Sequence, residues 1–74
     1  MFDALPATVK EQLFRFKSDF AELNAEYRRT GDYDRKYAEN RRIALSYYIG
    51  ALVDAGVVNN GGELWDQITE AGKE

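Results

Sequence analysis

The apolar residues near the start of the chain follow a helical repeat. They recur at spacings of 4, 3, 4, 3 and 4 in the order Val9, Leu13, Phe16, Phe20, Leu23 and Tyr27. Such spacing keeps an apolar stripe on one side of a helix for about five turns. Pro6 suits the first helical turn, Asp3 can cap the helix, and Gly31 can end it. The pattern predicts a first helix over about residues 6–29.

The next helical segment changes character along its length. Residues 35–42 are mostly polar, whereas only Ser46 and Gly50 interrupt the apolar run over residues 43–53. Asp32 or Asp34 can cap a helix that begins in the short connection before it. We therefore expect a second helix over about residues 34–55. A short connection between two long helices is typical of an antiparallel hairpin.

The second half of this helix carries apolar side chains on nearly all of its sides. One stripe comprises Ala38, Leu45, Ile49 and Leu52, and a neighbouring stripe comprises Tyr37, Ala44, Tyr48, Ala51 and Ala55. Ile43, Tyr47 and Val53 lie outside both stripes. A helix that is apolar on nearly all sides needs neighbours on all sides, and one antiparallel helix cannot provide them.

The C-terminal segment has two interpretations. Asn60 and Glu63 have the spacing of a reciprocal helix cap, and Leu64, Trp65 and Ile68 then share one face of a short helix over about residues 62–71. Alternatively, the Asn-Gly turn joins residues 57–58 and 63–65 in a β-hairpin. The helical spacing of Leu64 and Ile68 favours the helix. The prediction is an all-α fold with a single domain over residues 1–74.

The size and composition of the chain point to association. A domain of 74 residues has a thin stability margin, and below about 70–80 residues proteins often add a disulfide, a metal or a partner chain. The chain has no cysteine and no histidine, which excludes disulfides and zinc sites built on these residues. We therefore expect an oligomeric helical bundle, most simply a homodimer, with no cofactor.

The oligomer interface is predicted on the second helix. Its candidate residues are Ile43, Ser46, Tyr47, Gly50 and Val53. Ser46 and Gly50 lie four positions apart, so a second helix could approach closely at this point. The alternative is a central core helix that helices one and three cover completely.

Charge is distributed unevenly. Residues 1–26, 27–42 and 43–74 carry net charges of −2, +3 and −4. The basic middle forms the predicted hairpin tip, whose candidate anion-binding or partner-binding residues are Arg28, Arg29, Tyr33, Arg35, Lys36, Arg41 and Arg42. Guanidinium groups bind phosphate and tyrosine rings stack on bases, which would suit a nucleotide or a nucleic acid. The alternative is a solvated helix end paired with the three acidic residues of the same segment.

Two further aromatic residues are candidate anchors for a partner. Phe14 lies off the main stripe of the first helix, and a large aromatic side chain in such a position can anchor a binding partner. A single exposed apolar residue is also common without any function. Trp65 is expected to fill a core or an interface.

Catalysis is not indicated. Without histidine and cysteine there is no recognisable nucleophile and base pair, and no carboxylate stands in a setting that would tune its acidity. No apolar run approaches the ~18 residues of a membrane span, and no signal peptide is apparent, so we expect a cytoplasmic protein. In size and composition the chain resembles small phage or plasmid proteins that bind and block a host macromolecule. The sequence therefore favours a non-enzymatic protein-binding module, an inhibitor or adaptor. The alternative is a binder of a phosphate-bearing ligand at the tip.

Overall fold

The computed structural model describes residues 4–73, which form three α-helices and no strand. Helix α1 spans Ala7–Thr30, α2 spans Arg35–Asp54 and α3 spans Gly61–Thr69. The expected all-α fold with three helices is therefore confirmed. Because residues 61–69 are helical, the alternative β-hairpin around the Asn-Gly turn is wrong.

The ends of α1 follow from backbone geometry. Pro6 directly precedes the helix, with φ −56° and ψ 150°, and no side-chain cap is observed there. The proposed cap Asp3 lies outside the described residues. At the other end Gly31 adopts the left-handed conformation with φ 76°, and its N–H donates to the carbonyl of Tyr27 at 2.7 Å. Glycine adopts this conformation without steric cost, which explains why α1 ends at this position.

Side-chain caps begin the other two helices. Asp34, one of the two candidates, accepts a hydrogen bond from the backbone N–H of Tyr37 at 2.9 Å. Asn60 accepts one from the N–H of Glu63 at 3.0 Å. Each cap satisfies a backbone donor that the first turn of a helix leaves without an internal partner.

The core lies where the three helices meet. Its most deeply buried large side chains are Leu13, Leu45, Leu64 and Ile68. The α1 stripe is buried at Leu13, Phe16, Phe20 and Leu23, whereas Tyr27 is 52% exposed. On α2, the stripe Ala38, Leu45, Ile49 and Leu52 is buried and the neighbouring stripe is not. Helices α1 and α3 thus cover one side of α2.

Close contacts hold α3 against the other helices. The Asn24 side chain on α1 donates to the carbonyls of Thr69 and Ala71 at 3.1 and 2.8 Å, and so satisfies acceptors at the C-terminal end of α3. At the N-terminal end, a β-carbon on Gly61 would lie 3.0 Å from Ile49 Cγ2. Glycine therefore permits the close approach of α3 to α2.

Candidate functional site

The side of α2 that faces away from α1 and α3 carries exposed apolar residues. We call Ile43, Ser46, Tyr47 and Gly50 the outward face. The Tyr47 side chain is 76% exposed and that of Ile43 is 51% exposed, and Ser46 and Gly50 are also exposed. Because α2 turns about 100° per residue, Ile43, Tyr47 and Gly50 lie opposite the buried stripe that contains Leu45, and Ser46 lies on their flank.

Val53 belongs to this surface only in part. It is 40% exposed, and a β-carbon on Gly61 would lie 3.1 Å from Val53 Cγ2. The side chain therefore packs against the beginning of α3 at the edge of the outward face. This predicted interface residue thus already has a close neighbour within the chain.

Gly50 leaves an open position in the middle of the outward face. A β-carbon there would meet no atom within 4 Å. A glycine inside a helix costs roughly 0.5–1 kcal/mol relative to alanine. No close contact within the described fold offsets this cost, so the small residue keeps the surface flat without serving the internal packing.

A second surface feature is a cavity of about 360 Å³ among the three helices. We call it the polar cavity. Its lining residues are Phe20, Leu23, Asn24, Tyr27, Tyr33, Arg35, Ala38, Arg42, Trp65, Thr69 and Lys73. Three of them are cationic and four are aromatic, and no carboxylate is among the described residues that line it. Its volume lies within the range of small-molecule sites, and its cationic side chains could contact an anion.

Aromatic contacts order one wall of the polar cavity. The rings of Tyr27 and Tyr33 meet edge to face, with centroids 5.7 Å apart. The Arg35 guanidinium lies 5.0 Å from the centre of the Tyr33 ring, within the range of a cation–π contact. Asp32 lies 4.0 Å from Arg35 Nε, but both side chains are about three-quarters exposed, so this ion pair is weak.

The structure divides the predicted tip residues into several locations. Tyr33, Arg35 and Arg42 line the polar cavity together with the predicted anchor Trp65. Arg28 and Arg29 are exposed in the last turn of α1 and do not line it, and Lys36 is exposed in the first turn of α2. The seven tip residues therefore do not all line the same cavity.

Arg41 belongs to the packing between α1 and α2. Its Nε lies 3.1 Å from Asp19 Oδ2, and its guanidinium stands 4.7 Å from the centre of the Phe16 ring. Although this is an ion-pair distance, the buried Nε has no hydrogen-bond partner among the described residues, so the contact with Asp19 is electrostatic. The expectation that Arg41 contributes to the tip is not supported by this position.

Phe14 lies on a different surface from the polar cavity and the outward face. It is 54% exposed and borders a shallow groove between α1 and α3, which Asp66 and Glu70 also line. The predicted anchors Phe14 and Trp65 thus do not share a site.

Lys73 is the one cationic residue lining the polar cavity that was not predicted from the sequence as a site residue. Lys73 follows α3, far along the chain from the basic segment, and no local pattern links it to Arg42. Tyr27, the last residue of the α1 stripe, directly precedes Arg28 and Arg29 of the tip, and its half-exposed ring borders the cavity. Only the packing of α3 against α1 shows that these side chains share one surface.

Comparison with known proteins gives no assignment. No family model matches the chain, and no match is found among curated proteins or among solved structures. Within residues 4–73, none of the helices has the length and apolar character required to cross a bilayer. The same residues contain no group of three or more acidic, histidine or cysteine side chains arranged to hold a metal ion.

Proposed function

We propose that this protein is a small non-enzymatic protein-binding module, an inhibitor or adaptor, and that the outward face of α2 is a protein interface. The exposure of Tyr47 and Ile43 on the side of α2 opposite the core supports this proposal most directly. A large aromatic side chain beside an aliphatic one is a common anchor in protein interfaces. The resemblance in size and composition to small phage or plasmid proteins that block host macromolecules supports the same class.

We further propose that α1 and α2 form an antiparallel hairpin and that two chains associate through it. Tyr27 contacts Tyr33 near the connection, Arg41 contacts Asp19 farther away, and Phe16 contacts Tyr48 farther still. This progression supports opposite helix directions. Since α1 and α3 both pack on the inner side of α2, a second chain is the simplest cover for the outward face.

Sedimentation equilibrium tests the role of the outward face. We expect the wild-type chain to exceed the mass of one chain at micromolar concentration, and Tyr47→Ser to weaken this association. Tyr37→Ser is the matched control, because Tyr37 is an exposed tyrosine of α2 that borders a groove toward Asp19 and Glu22 of α1. Equal association of the wild type and Tyr47→Ser would contradict the proposal.

The polar cavity supports a second candidate function, the binding of a phosphate-bearing ligand. Arg35, Arg42 and Lys73 supply positive charge on one cavity, and its lining also includes the rings of Tyr33 and Trp65. A nucleotide combines the two features that this lining would recognise, a phosphate and a planar base.

Calorimetric titration with AMP and with adenosine tests this second function. We expect AMP to bind more tightly than adenosine, and its affinity to fall as the salt concentration rises, because the phosphate contacts are electrostatic. Arg42→Ala should weaken the binding of AMP. Arg29→Ala is the control, since Arg29 is an exposed arginine outside the cavity. Equal affinities of the two variants would place the binding elsewhere, and no heat of binding would exclude AMP as a ligand.

A further inference from the structure

A longer pattern runs along α2 through the outward face. Lys36, Asn40, Ile43, Tyr47, Gly50 and Asp54 follow one another at spacings of 4, 3, 4, 3 and 4, and all six are exposed. This is the spacing of the a and d positions in a coiled-coil heptad repeat. We call these six residues the α2 seam. The chain thus has one such stripe in its core, on α1, and a second one on its surface.

The α2 seam is complementary to itself when the second copy runs in the opposite direction. Antiparallel pairing about the level of Leu45 places Ile43 opposite Tyr47, Asn40 opposite Gly50 and Lys36 opposite Asp54. Each pair occurs twice because of the two-fold symmetry. The apolar residues meet at the centre of the seam. One pair of opposite charges lies at each end, and the two pairs are about 27 Å apart.

The same residues oppose a parallel arrangement. Two parallel helices would place Lys36 against Lys36 and Asp54 against Asp54, which repel each other. Within residues 4–73 neither Lys36 nor Asp54 has an ion-pair partner in its own chain, so both charges are available to a second copy. Such charge patterns select the orientation of paired helices.

Gly50 fits the antiparallel register. A β-carbon at this position would meet no atom of its own chain within 4 Å. In the antiparallel register this space lies opposite Asn40, whose side chain is larger than the glycine that it faces. The packing of a long residue against a short one would let the two helices approach closely at this layer.

We infer that two copies of this chain associate through the α2 seam in antiparallel register, with Lys36 of each copy opposite Asp54 of the other. This inference rests on the self-association in the proposed function and adds its register and orientation. One pair of helices of this length buries less than about 1,200 Å², which is the range of weak and transient interfaces. The dimer should therefore form at micromolar rather than nanomolar concentration.

Cysteine crosslinking tests the register directly, since the natural chain has no cysteine. Under mild oxidation, a mixture of the Lys36→Cys and Asp54→Cys variants should form a covalent dimer, whereas Lys36→Cys alone should not. A mixture of Arg29→Cys and Asp54→Cys is the control for random collision, because Arg29 is exposed but lies outside the seam. Rapid crosslinking of Lys36→Cys with itself would indicate parallel helices and overturn the inference.

Charge reversal provides an independent measurement by sedimentation equilibrium. Lys36→Glu should weaken the dimer about tenfold, because both end pairs change from attraction to repulsion. The double variant Lys36→Glu, Asp54→Lys should restore association. In a parallel dimer neither change would alter the affinity, since like charges would face each other in every case.

The outcomes separate this inference from the proposed function. One outcome is that Tyr47→Ser abolishes association while Asp54→Lys fails to restore the association that Lys36→Glu weakens. In that case the outward face is the interface and the antiparallel register is wrong. If the wild-type chain has the mass of one chain at every concentration tested, the inference and the proposed self-association are both wrong. Circular dichroism on each variant checks that it has kept its helical content.

Discussion

Arg41 of α2 and Asp19 of α1 form a partly buried ion pair between the two long helices. Arg41 Nε and Asp19 Oδ2 are 3.1 Å apart, and the two side chains are only 26% and 28% exposed. The same guanidinium lies over the Phe16 ring at 4.7 Å. The sequence suggested that this arginine was part of an anion site. Its contacts with Asp19 and Phe16 place it in the packing between α1 and α2.

This relationship predicts an unequal effect of two arginine substitutions. Arg41→Ala should lower the free energy of unfolding by about 1–2 kcal/mol, because it removes a cation–π contact and leaves Asp19 partly buried without its counter-charge. Arg15→Ala is the control. Its pair with Glu11 is 67% and 63% exposed, so its loss should cost less than about 0.5 kcal/mol. Urea denaturation of both variants gives the comparison, and similar losses would contradict a structural role for Arg41.

Phe20 is the most informative position in the core. Its side chain is 2% exposed at the middle of the α1 stripe. Phe20→Ala should cost about 3–5 kcal/mol, which is enough to unfold much of a domain this small. Phe14→Ala should cost far less, since that side chain is 54% exposed. A melting shift of only one or two degrees for Phe20→Ala would show that this site is not well packed.

Local patterns were sufficient to predict the helices. The 4-3 spacing from Leu13 to Leu23 identified α1 and its buried side. Asn60 was the predicted cap of α3, and of the two candidate caps of α2 the observed one is Asp34. Each of these signals acts within one or two turns of a helix, so the sequence carries it directly. For α2 the sequence showed two apolar stripes but did not indicate which of them faces the core. Only the positions of α1 and α3 decide that the stripe with Leu45 is buried, whereas Tyr37 and Ala51 of the other stripe are exposed.

The polar cavity was less accessible to sequence analysis than the helices. Tyr33, Arg35 and Arg42 were identified because they cluster along the chain. Lys73 reaches the cavity only because the segment after α3 lies against α1. Asn24 and Gly72 make the contacts that hold this segment in place. Contacts between residues more than forty positions apart have no local signature, so one sequence does not reveal them.

Gly72 provides a prediction about this long-range contact. It has φ +79°, and a β-carbon there would lie 3.0 Å from the Cα and carbonyl oxygen of Ala21. Gly72→Ala therefore has two costs. A non-glycine residue in the left-handed conformation is strained by about 1–2 kcal/mol, and the added β-carbon also clashes with backbone atoms of Ala21. Gly31→Ala is the control, because Gly31 has φ +76° but nothing within 4 Å of the added carbon. In thermal denaturation Gly72→Ala should be the less stable variant, and equal stability would mean that α3 shifts away from α1 without cost.

The last prediction separates folding from association at a single position. Gly50→Leu should leave the fold of one chain intact or stabilise it by up to about 1 kcal/mol, because the added side chain meets open space and leucine favours the helix. In the dimer the same side chain would fill the layer opposite Asn40 and push the helices apart. The wild-type melting temperature should therefore rise with protein concentration by mass action, and that of Gly50→Leu should not. Sedimentation equilibrium should show the variant shifted toward the mass of one chain. Association of Gly50→Leu at the wild-type affinity would mean that no helix approaches α2 at this glycine.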